Sequence, residues 1–401
     1  MKIIGIIAEY NPMHNGHIYQ INKAKKYFNA NYVIVVMSGP FTQNGNISLI
    51  DKYTKANIAI ENGADLIIEL PTIYATSSSE YFAKGAVKLL NDLKIVDYIL
   101  FGAETDNILC LENIANKIIE NNDNILKDIS KESKNMTFAS SRDKVLKNYL
   151  NEDEYLQIST PNNILGIEYI KNLITLNSNI APLCITRYGN TSSTNIRKSL
   201  TNKSYTYLRL NSTKSVINYI KNNNIGKFNM YENDHYLNKL YSLIRYKIIS
   251  STNDDLNKIY EVAEGLENKL IKEINSSTTY EEFINNIKSK RYTRARIKRL
   301  LINILLNVTK NYYDTNTKNI PIYAHILKAN SNGKELISKI SKVSDINILT
   351  SYKQNYINKV SNNLNNNIIN LINLDIYANN LHSIIFNYDL NKDFTNNPFI
   401  L

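Results

Sequence analysis

The sequence predicts an α/β protein: a Rossmann-like, doubly wound parallel sheet in the first half, followed by a mainly α-helical second half. Three observations support this. Short apolar runs alternate with helix-length segments up to about residue 200, longer polar and apolar patterns replace them after about residue 205, and the excess positive charge lies in the second half. A chain of 401 residues is long enough for two cores. We therefore predict domains at residues 1–202 and 203–401.

Five apolar runs in the first half have the length and the Ile, Leu and Val content of buried parallel strands. They are KIIGIIA (2–8), YVIVVM (32–37), ADLIIEL (64–70), DYILFG (97–102) and APLCITR (181–187). Helix-length segments separate them, among them Ile18–Tyr27, Asp51–Asn62, Ser79–Leu93 and Asn162–Leu176. This alternating order predicts a ligand crevice at the carboxyl ends of the strands.

Charge divides the chain into two halves. The protein has 47 Lys and Arg against 36 Asp and Glu, a net charge of +11. Residues 1–200 carry 20 basic and 20 acidic side chains, so the whole excess lies in the second half. A neutral half followed by a basic half favours a small-ligand domain joined to one that binds a polyanion. The alternative is that the Lys excess follows the general abundance of Asn, Lys, Ile and Tyr in this chain.

The clearest helix of the second half is RYTRARIKRLLINILLNV. One face repeats at helical spacing through Ile297, Leu300, Leu301, Ile304, Leu305 and Val308. Basic side chains occupy six of the ten positions from 290 to 299, with Tyr292 among them. This basic cluster favours phosphate contacts with stacking on a base, and a solvated helix face is the alternative. Residues 202–212 are the candidate linker.

The remaining composition predicts a cytoplasmic protein. Cys110 and Cys184 lie in or beside apolar runs without CxxC spacing, which favours buried thiols in a reducing compartment. The N-terminal run lacks a signal-peptide cleavage pattern, and no apolar stretch approaches the length of a membrane span. We expect no membrane association.

The segment AEYNPMHNGH, residues 8–17, follows the first predicted strand directly. The next helix begins near Gly16, so His14 and His17 lie at a helix N-terminus, where unpaired N–H groups and the helix dipole favour a phosphate. Two imidazoles there can donate hydrogen bonds to α-phosphate oxygens during nucleotidyl transfer. Gly16 allows the backbone to approach closely.

Two other interpretations of the histidine pair stay open. Metal ligation by His14 and His17 would need a third ligand, and none lies nearby at helical spacing. We therefore predict no metal held by the protein. Hydrogen-bonded structural histidines are the second alternative, although the pair lies where an α/β crevice opens.

The segment SSTNIRKSL, residues 192–200, follows the last predicted strand. Ser193 or Thr194 can cap the next helix, and Arg197 can reach triphosphate oxygens. A Ser or Thr cap before an Arg is weak evidence alone. Together with H-x-G-H, at the start and the end of one α/β domain, it predicts a nucleotide site.

This motif pair resembles that of the nucleotidyltransferase superfamily, which uses H-x-G-H and S-S-T-x-I-R to bind ATP. The order of further blocks is similar to that of the tRNA(Met) cytidine acetate ligase family over nearly the entire chain. These blocks include IAEYNPMHNGH, MSGPFTQNG, ADLIIELP, SSSEYFAKGAVKLLNDL, FGAE, TPNNILGIEYIK, STNIRKSL, YEVAEGLENKL, KRYTRARIKRLLINIL and ILKANSNGKEL.

The resemblance implies an ATP-dependent enzyme that acetylates N4 of the wobble cytidine of elongator tRNA(Met). It implies acetate as the acyl donor, an acetyl-adenylate intermediate and Mg²⁺ as the ion that neutralises the leaving pyrophosphate. The tRNA would meet the basic cluster at Lys290, Arg291, Arg294 and Lys298. The family's ATP site maps onto Ile7, Ala8, Glu9, Tyr10, Asn11, Pro12, Met13, His14, Asn15, Gly16, His17, Ile18, Tyr19, Gln20, Gly102, Asn162 and Arg187.

The sequence also departs from the family pattern. Asn44 stands where the family has Arg after a Gln, and only YGNTS separates Arg187 from the S-T-x-I-R motif. Two other functions therefore remain as alternatives. One is an adenylyltransferase for a small phosphorylated metabolite, against which the long basic second half argues. The other is a nucleotide-responsive RNA-binding protein without catalysis.

Overall fold

A computed structural model describes residues 1–132, 138–189, 191–201, 205–223, 235–289, 291–318, 323–353 and 366–399. All five predicted strands are present and lie parallel in one sheet. The sheet has seven strands in the order β5-β4-β1-β2-β3-β6-β7. The strands are β1 Ile3–Ala8, β2 Tyr32–Ser38, β3 Leu66–Leu70, β4 Tyr98–Ala103, β5 Ala181–Thr186, β6 Ala324–Ala329 and β7 Ile348–Leu349.

The chain winds in two directions from β1. It passes through β2 to β3 on one side and through β4 to β5 on the other, which is the doubly wound order that the sequence predicted. The direction changes between β1 and β4, which are hydrogen-bonded neighbours with Ile4 opposite Tyr98. An open α/β sheet splits at such a point and leaves a crevice at the carboxyl ends of its strands.

The helices of the first half lie on both faces of the sheet. Asn15–Asn22 continues as a π-helical turn over Lys23–Tyr27, and the four predicted helices are all present. Their bounds are α1 Asn15–Asn22, α2 Lys52–Glu61, α3 Thr72–Ala75, α4 Ser79–Asp92, α5 Ile108–Glu120, α6 Asn122–Glu132, α7 Phe138–Leu146, α8 Glu152–Gln157, α9 Pro161–Thr175 and α10 Ser193–Thr201.

The second half is mainly helical, as predicted. Its helix over Arg294–Leu306 buries Ile297, Leu300 and Leu301 completely. The helices are α11 Tyr205–Asn211, α12 Lys214–Asn222, α13 His235–Ile249, α14 Asn253–Lys258, α15 Leu266–Ser276, α16 Tyr280–Ile287, α17 Arg294–Leu306, α18 Lys310–Thr317, α19 Ser331–Val343, α20 Asn366–Phe386 and α21 Lys392–Thr395.

Alternation along the strands produces two separate cores. Ile34 and Val36 of β2 face one side, with α4, α5, α9 and the helices of the second half. Val33 and Val35 face the other side, with α1, α2, α10 and α12. Because successive strand residues point to opposite faces, a nearly continuous apolar run serves both cores.

The expectation that strands end after about residue 205 was wrong. β6 and β7 belong to the second half, and β6 pairs antiparallel with β3, with His325 opposite Glu69. The sheet is thus built from both sides of residue 202, and the division into two domains stays a prediction. β6 is a short run, AHILKA, separated from its partner by more than 250 residues, so local periodicity could not reveal the pairing.

Two smaller expectations also need correction. Residues 205–211 of the candidate linker are helix α11, with Leu208 buried, and residues 202–204 lie outside the described residues. The cysteines are free thiols, as predicted, but Cys110 and Cys184 are half-buried. In the described ranges we find no helix that is both long and apolar enough to cross a membrane.

Candidate functional site

A cavity of about 470 Å³ opens at the carboxyl ends of β1, β4 and β5, at the point where the winding changes direction. The predicted residues that line it are Ile7, Ala8, Glu9, Tyr10, His14, Gly16, His17, Tyr19, Gln20, Gly102, Asn162, Arg187 and Ser193. The structure therefore brings His14 and His17 together in one cavity with Gly102 at the end of β4, and with Asn162, Arg187 and Ser193 from the later blocks of the sequence.

Other members of the predicted ATP site do not line this cavity. They are Asn11, Pro12, Met13, Asn15, Ile18, Thr194 and Arg197. Asn11 is buried and links to the next loop, donating to the carbonyl of Ile47 and accepting from the N–H of Leu49. Asn15 donates to the carbonyl of Leu210. These side chains hold the loop in place from outside the cavity.

The two histidines form the N-terminal cap of α1. His14 is the cap residue, and its Nδ1 accepts the backbone N–H of Gly16 at 3.1 Å. The backbone N–H of His14 in turn donates to Nδ1 of His17 at 3.2 Å. The rings stack with centroids 3.7 Å apart, and the ring of Tyr10 packs edge-on against His17. The H-x-G-H spacing therefore fixes both rings against one helix turn.

These hydrogen bonds determine where the imidazole protons lie. A neutral imidazole has one protonated nitrogen, and each Nδ1 here accepts an N–H, so Nε2 of both rings carries the proton. Burial, with the charge of Arg187 as a second cause, lowers the pKa of His14 to about 4. Burial and the neighbouring His14 and Arg187 hold the pKa of His17 well below its usual value. Both rings are therefore neutral Nε2–H donors near pH 7.

The S-S-T-x-I-R segment holds the loop before α1 through its backbone. The carbonyls of residues 11–13 each accept one side-chain hydrogen bond, from Arg197 at 2.5 Å, Ser193 at 2.9 Å and Ser212 at 2.8 Å. Three consecutive carbonyls are thus satisfied from α10 and the end of α11. Arg197 also donates to the hydroxyl of Thr194. The two motifs are thus in direct contact, with Arg197 on the loop backbone, and its contact with triphosphate oxygens stays a prediction.

Glu104 joins two predicted site residues, and sequence reasoning did not single it out. Its carboxylate accepts from Nδ2 of Asn162 at 2.6 Å and from the backbone N–H of Asn163 at 3.1 Å. Arg187 lies 3.7 Å from the same carboxylate. Gly102 is adjacent, since a Cβ there would lie 3.7 Å from Arg187. Its place directly after β4, in FGAE, was the available signal.

Glu9 provides a carboxylate in the cavity. It is half-buried, its Oε1 accepts the backbone N–H of Gln43 at 2.7 Å, and burial raises its pKa. Behind it, Nζ of the buried Lys55 donates to the carbonyls of Glu9, Ser38 and Gly39. Burial lowers the pKa of Lys55 to about 8. The ends of β1 and β2 are therefore tied together beneath the cavity.

The loop that includes Gln43 rests on helix α17 of the second half. Gly45 adopts φ +68°, and a Cβ there would lie 2.5 Å from the backbone nitrogen of Arg299. Lys298 donates to Oδ1 of Asn46 at 2.9 Å, and Arg299 reaches the carbonyl of Gln43. Part of the basic cluster therefore supports the wall of the cavity.

Most of the described basic cluster is engaged within the protein. Arg291 pairs with Glu264 and Arg294 with Glu281. Tyr292 is only 7% exposed, and Arg296 lies 4.5 Å above its ring, so its expected stacking on a base was wrong. Lys290 lies outside the described residues.

A buried polar cluster joins β3 and β6 to α2 and α21, and no motif in the sequence indicated it. Nζ of Lys52 contacts Glu69 at 2.8 Å and Asp393 at 2.6 Å, with no exposure of these side chains. Nδ1 of His325 lies 2.6 Å from Glu69. Glu69, His325 and Asp393 have the spacing of metal ligands, but the ammonium of Lys52 already compensates these carboxylates.

Several other residues that line the cavity were not predicted from the sequence. They are Gln43, Asn44, Ser79, Phe82, Phe101, Pro161, Ile164, Leu165, Tyr169, Ile185, Thr186, Tyr188, Thr191 and Ser192. Most lie beside a predicted residue, in the blocks around Gly102, Asn162 and Arg187. Asn44, one of the departures from the family pattern, is therefore a wall residue.

The doubly wound sheet and the capped histidine pair define a nucleotidyl transferase, and residues 1–397 match the family model described as HIGH Nucleotidyl Transferase. The chain is 38% identical to the tRNA(Met) cytidine acetate ligase of Clostridium botulinum (strain Kyoto / Type A2), covering 100% of this chain and 99% of that protein. It is 36% identical to the tRNA(Met) cytidine acetate ligase of Clostridium perfringens (strain ATCC 13124), covering 100% of both. The protein thus belongs to the tRNA(Met) cytidine acetate ligase family.

Solved structures agree with this assignment. The crystal structure of Thermotoga maritima TmcAL bound with alpha-thio ATP superposes with a TM-score of 0.90 at 30% identity, covering 100% of both chains. Its apo form also gives 0.90, at 29% identity. The fold and the family resemblance predicted from the motifs are therefore confirmed.

Proposed function

We propose that this protein uses ATP to join acetate to N4 of the wobble cytidine of elongator tRNA(Met), forming N4-acetylcytidine, AMP and pyrophosphate. The observation that carries the proposal is the pair of neutral Nε2–H imidazoles at the N-terminus of α1, in a cavity at the switch point of the sheet. The names of the relatives give the acyl donor and the RNA, and the bound ATP analogue of the Thermotoga protein supports the nucleotide.

In the first step, a carboxylate oxygen of acetate attacks the α-phosphorus of ATP, and the bond to pyrophosphate breaks. His14 and His17 donate their Nε2–H hydrogen bonds to the α-phosphate oxygens, where negative charge increases in the transition state. Because both rings are fixed by the α1 cap, they need no reorganisation as the charge develops. The N-terminus of α1 and the nearby Arg187 add positive potential.

Mg²⁺ suits the same cavity. Among the described residues that line it, Glu9 is the acidic one, and Mg²⁺ bound to nucleotides takes one or two carboxylates besides phosphate oxygens. Glu9 would hold the ion, which neutralises charge on the departing pyrophosphate when bound. Burial raises the pKa of Glu9 although the charges of Lys55 and Arg197 act in the opposite direction, so a bound cation would further favour its carboxylate form.

In the second step, N4 of cytidine attacks the carbonyl carbon of acetyl-adenylate, AMP departs and N4 loses a proton. The mixed anhydride must be kept from water until the base arrives. Phe82, Phe101 and Tyr169 give the cavity apolar walls. These walls suit a reactive acyl intermediate.

The predicted ATP site is proposed to act in two groups. The predicted residues that line the cavity would contact the nucleotide; they are Ile7, Ala8, Glu9, Tyr10, His14, Gly16, His17, Tyr19, Gln20, Gly102, Asn162, Arg187 and Ser193. Those outside it, including Asn11, Thr194 and Arg197, would hold the loop through the bonds described above. Glu104 joins the proposal as a positioning residue for Asn162 and Arg187.

The proposed tRNA contacts of the second half are Lys290, Arg291, Arg294 and Lys298. Phosphates would replace Glu264 and Glu281 as partners of Arg291 and Arg294, an exchange that weakens with salt. With a tRNA as substrate, we propose that the reaction takes place in the cytoplasm. Alanine at Arg294 and Lys298 should weaken tRNA binding and reduce its salt dependence; an unaltered salt slope would place the RNA elsewhere.

Exchange of labelled pyrophosphate into ATP tests the first step. We expect exchange that requires both acetate and Mg²⁺ and needs no tRNA. Exchange that instead required a phosphorylated metabolite would favour a cofactor adenylyltransferase. Absence of exchange with either acceptor would contradict adenylation by this chain.

A further inference from the structure

Aromatic rings and lysines alternate along one exposed side of α1 and its π-helical turn. The rings of Tyr188 and Tyr19 lie 5.1 Å apart between centroids. Nζ of Lys23 lies 5.4 Å from the ring centroid of Tyr19 and 4.6 Å from that of Tyr27. We call Tyr188, Tyr19, Lys23, Lys26 and Tyr27 the α1 track. It extends for about 12 Å from Tyr19 to Tyr27 at the rise of a helix.

The α1 track begins at the catalytic cavity and ends in a second concavity. Tyr19 and Tyr188 line the first cavity, and Tyr19 also lines the second one, of about 320 Å³, with Asn22, Lys23, Lys26 and Tyr27. Tyr188 is 52% exposed and Tyr27 is 66% exposed. A row of tyrosines, with Lys23 between Tyr19 and Tyr27, therefore leads from the reaction centre to the outside of the protein.

Lys23 and Lys26 differ from the cations of the basic cluster. In the part of the chain that the structure describes, neither lysine forms an ion pair, whereas Lys25 pairs with Asp65. No acidic residue lines the second concavity among the described residues. Arg291 and Arg294, by contrast, already have carboxylate partners. The α1 track is thus a positive surface, because no described carboxylate neutralises the charges of Lys23 and Lys26.

We propose that the α1 track binds the unpaired nucleotides that flank the reacting cytidine, with bases stacked on Tyr27 and on the Tyr19 and Tyr188 pair, and phosphates at Lys23 and Lys26. Aromatic rings interleaved with cations are the combination that binds single-stranded nucleic acid. A base that enters the cavity must bring its neighbours to the rim, and the track starts there. This inference rests on the proposed function, since it places the RNA of the same reaction.

Among the residues that the structure describes, the other exposed tyrosines lack this arrangement. Tyr246 on α13 is 74% exposed, and no ring or cation stacks on it among the described residues. Lys247 follows Tyr246, so this pair has the residue types of the α1 track without its stacked rings and cations. Tyr246→Ala with Lys247→Gln is therefore the matched control.

The test measures binding of an unmodified tRNA(Met) transcript to the full-length protein at several salt concentrations, without ATP. Tyr27→Ala should weaken binding at least about fivefold, and Tyr27→Phe should restore it because the ring remains. Lys23→Gln with Lys26→Gln should lower the slope of log affinity against log salt by about 1.4, for two phosphates on a single strand. The control pair should bind as the wild type does.

Photo-crosslinking locates the contact independently. A transcript with 4-thiouridine in the anticodon loop should crosslink to the peptide that contains residues 19–27. The inference would be overturned if the track variants bound tRNA with the affinity and salt slope of the wild type. It would equally be overturned if the control pair lost as much affinity as the track variants, or if crosslinks were confined to other peptides. Because binding and crosslinking need no chemistry, they separate this inference from acetate-dependent exchange, whose absence would contradict the proposed function alone.

Discussion

Nδ1 of His17 accepts the backbone N–H of His14 at 3.2 Å, while the two imidazole rings stack with centroids 3.7 Å apart. The same hydrogen bond that closes the cap of α1 thus fixes the proton of His17 on Nε2. Helix capping and donation to a phosphate are two consequences of one arrangement. A substitution that keeps the cap but removes the imidazole separates them.

His14→Asn should retain the cap, because an Asn side chain also accepts the N–H of Gly16. It loses the Nε2–H donor, and loss of one donor to a developing oxyanion lowers kcat by about 10²- to 10³-fold. Acetate-dependent pyrophosphate exchange measures this, and tRNA binding should persist. His14→Ala removes the cap as well, so it should lose about 1 kcal/mol of stability in addition. Wild-type exchange in His14→Asn would contradict the assigned role.

Acid should weaken the wild type more than His14→Asn. The pKa of His14 is about 4 when folded, against a usual value of 6.5, so between these values the unfolded chain binds a proton that the folded chain does not. Protonation of His14 therefore leaves the free energy of unfolding unchanged above pH 6.5 and lowers it as the pH falls towards 4. From pH 7.5 to 5.0, the wild type should lose about 2 kcal/mol more of its free energy of unfolding than the variant does. Urea unfolding measures it, and parallel pH curves would refute the assignment.

Glu104→Gln should raise KM for ATP by about tenfold. The variant keeps the size of the side chain but weakens the attraction to Arg187 and loses one acceptor for the N–H of Asn163. Glu120→Gln, an exposed change on α5, is the control and should leave KM unchanged. Steady-state exchange kinetics compare the two. Equal KM values would show that Glu104 does not position the nucleotide site.

Gly45→Ala should destabilise the protein more than Gly265→Ala. Both glycines have positive φ, +68° and +79°, so both variants incur about 1 to 2 kcal/mol of backbone strain. Only at Gly45 would the new Cβ press on α17, 2.5 Å from the nitrogen of Arg299, whereas nothing lies within 4 Å at Gly265. Overpacking should lower the free energy of unfolding of Gly45→Ala by about a further 1 to 3 kcal/mol. Equal urea midpoints would contradict the loop contact.

Features with local causes could be predicted from the sequence. The strands β1 to β5 appear as short apolar runs, and the histidine pair lies at a strand end and a helix start, so pattern alone located the cavity. Glu104 was within reach, since it follows β4, but its partners Asn162 and Arg187 come together only through folding.

Features with distant causes could not be predicted. Glu69 contacts His325 although 256 positions separate them in the sequence, and no local pattern around either residue indicates the other. Strand β6 reaches β3 by the same long connection. The basic cluster was predicted to be free for phosphates, but Arg291 and Arg294 pair with carboxylates of the protein. A count of charges on one segment cannot reveal carboxylates that other segments bring to it.

Mass analysis of the nucleosides of an unmodified elongator tRNA(Met) transcript tests the central claim most directly. The transcript is incubated with the protein, ATP, Mg²⁺ and labelled acetate, beside an initiator tRNA transcript, and then digested. We predict labelled N4-acetylcytidine at the wobble position of the elongator tRNA, lost when ATP is omitted. Acetate-dependent pyrophosphate release without label on any cytidine would contradict the claim that this protein acetylates tRNA.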